Sequence, residues 1–131
     1  MSTLRANTLS NQAGSQSIAV DRVAQATPFA WVNFNGTGTV AIRAQYNVSS
    51  ITDNGTGNYT VNFTTAAPDA NYAFTFGQGF DNVTATSAPS RVVSQDIAAA
   101  PTTTAFRMLS MAQGSGGVAL DFGQLCVAFF R

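Results

Sequence analysis

Six aspartates, at positions 21, 53, 69, 81, 96 and 121, are the only side-chain carboxylates among the 131 residues, and Cys126 is the only thiol. Two aspartates held together could share a proton or flank a glycosidic bond, as in aspartic proteases and glycosidases. A reactive cysteine would need a neighbouring cation to favour its thiolate. The chain contains no histidine, no lysine and no glutamate. Ser-His-Asp and Cys-His arrangements and a Gly-rich phosphate loop ending in lysine are therefore ruled out, and imine chemistry lacks its amine. Most of the aspartates stand in predicted turns, where a short carboxylate bonds nearby backbone. They read as turn residues, and the chain reads as non-enzymatic, with no catalytic residue and no cofactor. Asp53-Asn54-Gly55-Thr56-Gly57-Asn58 spaces oxygen donors somewhat like a calcium loop, but the closing bidentate glutamate is missing. A hairpin turn is expected there, and no metal site. Cys126, within Leu125-Cys126-Val127-Ala128-Phe129, is expected to be a small buried hydrophobe in a core strand.

Charge narrows the function classes further. Six arginines balance six aspartates, and only 9% of residues are charged, against about 25% in an average soluble chain. The arginines at 5, 22, 43, 91, 107 and 131 are scattered. A nucleic-acid binder needs clustered cations, so no nucleic-acid partner is expected. No apolar run approaches the roughly 20 residues of a membrane span, so no membrane insertion is expected. Met1 to Asn7 lacks the apolar segment of a signal peptide, which leads to an expectation of synthesis in a cytoplasm. A neutral surface rich in Thr, Asn and Gln puts no electrostatic barrier in the way of association. The composition thus points to a permanent place in an oligomer or larger assembly. Asn-x-Ser/Thr triplets begin at Asn35, Asn47, Asn54, Asn58, Asn62 and Asn82, and reflect this composition more than glycosylation.

The elements that must carry these residues are strands. Residues 29–34 alternate with period two, placing Phe29, Trp31 and Asn33 on one face and Ala30, Val32 and Phe34 on the other. Asn35-Gly36 suits a tight hairpin turn. Residues 39–43 alternate again, and residues 46–52 continue extended. Tyr59, Val61 and Phe63 alternate strictly with polar neighbours, the pattern of a half-buried antiparallel strand. Tyr72, Phe74 and Phe76 repeat it after a turn at Pro68-Asp69. Further strands are expected at 82–85, 91–97, 104–112 and 124–130. No stretch of ten residues has helical periodicity, and Pro101 stops the Ala98-Ala99-Ala100 run. Short strands with turns about every 10 residues predict an all-β fold: an antiparallel β-sandwich, jelly-roll-like, over residues 28–131. Residues 1–27 hold no aromatic and few apolar side chains, so they form an extended N-terminal arm, with Ile18-Ala19-Val20 as a short edge strand. Exposed aromatics could stack on sugar rings. Trp31, Tyr46, Tyr59, Tyr72 and Phe80 are the candidates, most of them on faces that read as core, with Phe80 in a Gly-flanked loop the best exposed case.

Two stretches carry a resemblance. Ala30-Trp31-Val32-Asn33-Phe34-Asn35-Gly36-Thr37-Gly38-Thr39-Val40-Ala41-Ile42-Arg43, and its continuation from Tyr46-Asn47-Val48-Ser49-Ser50 through Asn58-Tyr59-Thr60-Val61-Asn62-Phe63-Thr64, resemble a recurrent segment of bacteriophage virion structural proteins, tail-fibre-like ones above all. Ser2-Thr3-Leu4-Arg5-Ala6-Asn7-Thr8-Leu9 resembles the starts of such proteins more loosely. The match covers residues 30–64 closely and leaves the C-terminal half unplaced. It implies a virion component, commonly trimeric, and brings no catalytic or ligand residues.

The combined expectation is a homotrimeric tail-fibre or fibre-like protein in the virion, in contact with other virion proteins of tail or capsid. Leu4, Leu9, Ile18 and Val20 are the expected attachment residues of the arm. Three displayed loops, at 53–57, 77–82 and 113–117, would carry Asp53, Asn54, Thr56, Phe80, Asp81, Asn82 and Ser115. The alternatives are a capsid decoration protein, which shares the fold, and a carbohydrate-binding module for a host-surface glycan, which needs several aromatics on one exposed face.

Overall fold

A computed structural model describes residues 6–79, 90–113 and 117–131. Leu4, Phe80, Asp81, Asn82 and Ser115, and the strand expected at 82–85, lie outside the described residues.

The N-terminal segment is a hairpin and a helix. β1 (Thr8–Ser10) pairs with β2 (Ser17–Ala19) in a two-stranded sheet, and Leu9 stands opposite Ile18. The turn is closed by Asn11, whose backbone N–H donates to the Gln16 carbonyl and whose amide donates to Ser15 Oγ. Helix α1 (Val20–Ala26) follows directly, with Asp21 in its first turn. Val20 thus opens a helix and is not part of the expected edge strand; Ala19 keeps extended dihedrals and the chain turns helical after it. Thr27 stops the helix, its hydroxyl donating to the Val23 carbonyl.

From residue 30 onward the fold is a sandwich of two antiparallel sheets, as the alternation predicts. One sheet holds β3 (Ala30–Asn35), β4 (Ala41–Tyr46), β7 (Ala73–Gly79) and β11 (Gln124–Phe130), in the order β4-β3-β11-β7. The other holds β5 (Val48–Asp53), β6 (Asn58–Phe63), β8 (Ser90–Gln95) and β9 (Ala105–Gln113), with a two-residue β10 (Val118–Ala119). Both β8 and β10 pair with Met111 and Ala112 of β9, so they lie on opposite sides of it. The order is therefore β5-β6-β9-β8, with β10 continuing the line of β6. The chain changes sheets at both edges, from β4 to β5 and from β7 to β8. Consecutive strands β3–β4, β5–β6 and β8–β9 pair within a sheet.

Asn47 makes the first crossing. It is the one non-glycine among the described residues with positive φ, 55°. Its carboxamide bridges to the next turn, donating to the Thr65 carbonyl at 3.1 Å and accepting the Thr65 N–H at 2.8 Å. The extended run expected from Tyr46 to Thr52 is thus broken by a corner, because an asparagine tolerates the left-handed conformation. The Asn35-Gly36 pair does not make a two-residue turn. Gly36 N–H is engaged by the Phe122 carbonyl, and the β3–β4 connection runs from 36 to 40.

The core lies between the sheets. Ala30, Val32 and Phe34 of β3 face Tyr59, Val61 and Phe63 of β6, with Phe106, Met108, Leu125, Val127 and Phe129 between them. Aromatic rings meet edge to face, Phe63 on Phe129 at 5.0 Å and Tyr72 on Phe129 at 5.6 Å. Such contacts add about 0.5–1.5 kcal/mol beyond area burial. Cys126 corrects an expectation: it is half-buried on the outer side of its sheet. The larger neighbours Leu125, Val127 and Phe129 take the inward positions and fix the phase of the strand.

Candidate functional site

Four of the described aspartates, Asp53, Asp69, Asp96 and Asp121, accept backbone N–H groups. Asp53, Asp69 and Asp96 each accept the N–H two residues ahead, from Gly55 at 2.9 Å, Asn71 at 2.7 Å and Ala98 at 2.9 Å. This is the Asx turn, repeated three times. Asp96 is buried and also meets Arg107 Nη1 at 3.7 Å, while Asp69 pairs with Arg131. Asp121 bridges the end of β6: it accepts the Gly57 N–H at 2.7 Å and the Tyr59 hydroxyl at 2.6 Å. The Gly36 carbonyl oxygen lies 2.9 Å from the same hydroxyl. A side chain at Gly36 would drive a Cβ to within 2.5 Å of that hydroxyl, so the close approach demands glycine. Burial, reinforced by the Asp121 carboxylate, pushes the Tyr59 pKa far above its ordinary value. Among the described residues no group of three metal-ligating side chains comes together.

Of the loop at 53–57, residues 53–56 are exposed and Gly57 is buried, and the loop is internally tied. Asn54 donates its amide to Thr60 Oγ1 at 2.8 Å, and its backbone N–H to the Asn58 carbonyl at 2.9 Å. Asp53 and Asn54 therefore hold a hairpin between β5 and β6, with Thr56 exposed in its turn. In the second loop Gly77-Gln78-Gly79 belongs to β7. Of the attachment residues, Leu9 and Ile18 come together across the small sheet, 47% and 41% exposed, and Val20 is half-buried.

The aromatic candidates divide. Tyr59 and Tyr72 are core, and burial raises the Tyr72 pKa to about 12. Trp31 and Tyr46 are 38% and 58% exposed, and they stand directly opposite each other on β3 and β4. Trp31 and Asn33 share the outer face of β3, whereas Phe29, just before the strand, turns inward against Phe63, Tyr72 and Phe129, because Ala30, Val32 and Phe34 take the core face. Register extends the outer face across the sheet. Trp31 is followed by Ala128 and Thr75, and Ala44 is followed by Asn33, Cys126 and Gly77. The two rings form a ridge over β3 and β4. Beside it Asn33, Thr75, Gly77, Cys126 and Ala128 floor a shallow trough of about 500 Å³. Asn33 Oδ1 is buried there without a hydrogen-bond donor.

The fold and this face define an all-β antiparallel sandwich with one aromatic, uncharged sheet surface. Comparison with family models, curated proteins and solved structures finds no match.

Proposed function

We propose that this chain is a non-enzymatic structural protein of a bacteriophage particle, a homotrimeric tail-fibre or fibre-like component. Its sandwich packs against other copies, and its N-terminal segment attaches to a neighbouring virion protein. The resemblance over residues 30–64 supports the class, and it spans β3 to β6, the part of the sandwich that turns from one sheet into the other. The observation that carries the attachment role lies in the arm. Residues 6–27 fold into a hairpin and a helix, yet none of them is buried, and Leu9 and Ile18 pair in solvent. A segment of this kind gains stability by laying its apolar side chains on a second surface. The Trp31–Tyr46 pair also gives the glycan-binding reading a pair of exposed rings on which a host-surface sugar could stack.

Mass spectrometry and electron microscopy of purified particles test the proposal. The chain is expected in the virion in few copies, at the tail. Many copies spread over the head would make it a decoration protein instead. Its absence from particles would refute the virion role. Deleting residues 1–19 is expected to abolish incorporation while the sandwich still folds.

A further inference from the structure

The outer face of the β4-β3-β11-β7 sheet has fourteen outward register positions: Ala41, Ala44 and Tyr46; Trp31, Asn33 and Asn35; Gln124, Cys126, Ala128 and Phe130; Ala73, Thr75, Gly77 and Gly79. None is charged. Arg43 stands at the bulge, where the register shifts, and is the one exposed charge on β4. The first side of the face is a ridge, Trp31 and Tyr46. The second is a trough floored by Thr75, Gly77, Cys126 and Ala128, residues with little or no side chain. Trp31 also lines the trough, so the raised feature and the recess adjoin on one surface of the chain.

We infer that this face is the contact between copies of the chain, with the Trp31–Tyr46 ridge of one copy seated in the Thr75–Gly77–Cys126–Ala128 trough of another. Each copy presents one ridge and one trough, as symmetric association requires. Net charge is zero, so identical chains meet no repulsion, and an uncharged face matches an uncharged face. Paired positions free of charge, with an exposed Trp and Tyr among them, have the composition of an interface core. The extent of the face decides against a sugar as its occupant. Only two exposed rings, Trp31 and Tyr46, stand on the face for a sugar to stack on, whereas its uncharged paired positions cross all four strands. Asn33 lies between ridge and trough, its acceptor unfilled, where a neighbouring chain would border it.

The inference concerns the purified chain and does not rest on the particle assignment, so absence from virions leaves it standing. Cys126, the only thiol, sits in the trough and reports whether it is covered. Light scattering of the full chain is expected to give a multiple of 13.6 kDa, with Cys126 slow toward a small neutral thiol reagent. Thr75→Lys puts an unpaired charge into the trough, and is expected to return the mass to 13.6 kDa and open Cys126 to the reagent. Trp31→Thr removes the ridge without adding charge and is expected to act in the same direction. Thr52→Lys, on an exposed position of the other sheet, is expected to change neither readout. A wild-type chain of 13.6 kDa with reactive Cys126 would overturn the inference. So would Thr75→Lys and Trp31→Thr proteins that keep the wild-type mass and protected thiol. A monomer whose Trp31 fluorescence responds to neutral oligosaccharides would hand the face to a glycan.

Discussion

The two sheets of the sandwich share a core but treat solvent differently. On the outer side of β5-β6-β9-β8, polar side chains bond one another. Asn62 donates its amide to Ser50 Oγ at 3.1 Å and Thr52 Oγ1 at 2.9 Å, and Asn54 reaches Thr60 Oγ1. Arg107 stands next to Thr60 in register and meets Asp96. On the outer side of β4-β3-β11-β7, no paired outward position is charged, two aromatic rings are exposed, and the Asn33 acceptor is unfilled. Neither face is polar throughout: Val92, Leu109 and Met111 lie half-buried on the first, and Trp31 and Tyr46 stand on the second. The difference lies in pairing: Asn54 and Asn62 on the first face bond neighbouring side chains, whereas the Asn33 acceptor on the second meets no donor within the chain.

The comparison presumes one interior supporting both faces, and the largest expected effect tests that. Phe129 touches Phe29, Phe63, Tyr72 and Phe106 and is fully buried. Phe129→Ala is expected to cost about 3–5 kcal/mol in denaturant unfolding. Trp31 fluorescence, from the uncharged face, and far-UV circular dichroism should still report one midpoint. Separated transitions would mean that the faces belong to independent units. Alkali acts on the same interior. The Tyr72 hydroxyl, donating to the Thr102 carbonyl at 3.0 Å, has its pKa raised by burial to about 12, against about 10 in an unfolded chain. Its folded form holds the proton more tightly, so its stabilising contribution is full below pH ~10 and is lost as pH climbs toward ~12. The loss is about 3 kcal/mol across that window. Tyr72→Phe should flatten part of this decline, measured by unfolding at stepped pH.

Much of the sandwich was legible because period-two alternation is a direct image of a sheet with one buried face. Tyr59-Val61-Phe63 and Tyr72-Phe74-Phe76 announce their strands, and β3, β6, β9 and β11 fall within a residue or two of the expected bounds. Alternation alone does not say which phase is inward when both contain hydrophobes. Around Trp31 and around Cys126 both did, and the choice fell to long-range packing against Phe129 and Tyr59. The corner at Asn47 was hidden because its neighbours are all good strand formers; only a single residue's tolerance of positive φ marks it. β10 escaped because two residues carry no period, and its place is set by Leu120 N–H bonding the Ser110 carbonyl. The helix at Val20–Ala26 is shorter than periodicity can reveal. The ridge and trough were out of reach for a different reason: they combine β3, β4, β7 and β11, and only register brings them together.

Matched asparagines sharpen the contrast at smaller scale. Asn62→Ala removes an amide that bridges Ser50 and Thr52 on the solvent-facing sheet, and is expected to cost about 1 kcal/mol by chemical denaturation. Oligomeric mass should not change. Asn33→Ala is the same chemical change on the other face, with a different sign. In the isolated chain Asn33 Oδ1 is buried and accepts nothing, so its desolvation is already an unrecovered cost. Removing it should leave the intrinsic stability of a Thr75→Lys background unchanged or raise it by up to about 1 kcal/mol. In the assembled wild type, where a neighbour supplies the missing donor, the same substitution should weaken association and lower the mass at a given dilution. A double comparison, stability in the Thr75→Lys background and dilution series in the wild type, separates the two. If Asn33→Ala destabilises the monomer as much as Asn62→Ala does, the acceptor is satisfied within the chain and the two faces do not differ in the way argued. If it leaves both quantities alone, the Asn33 acceptor plays no part in association, and the contrast rests on the Trp31–Tyr46 ridge alone.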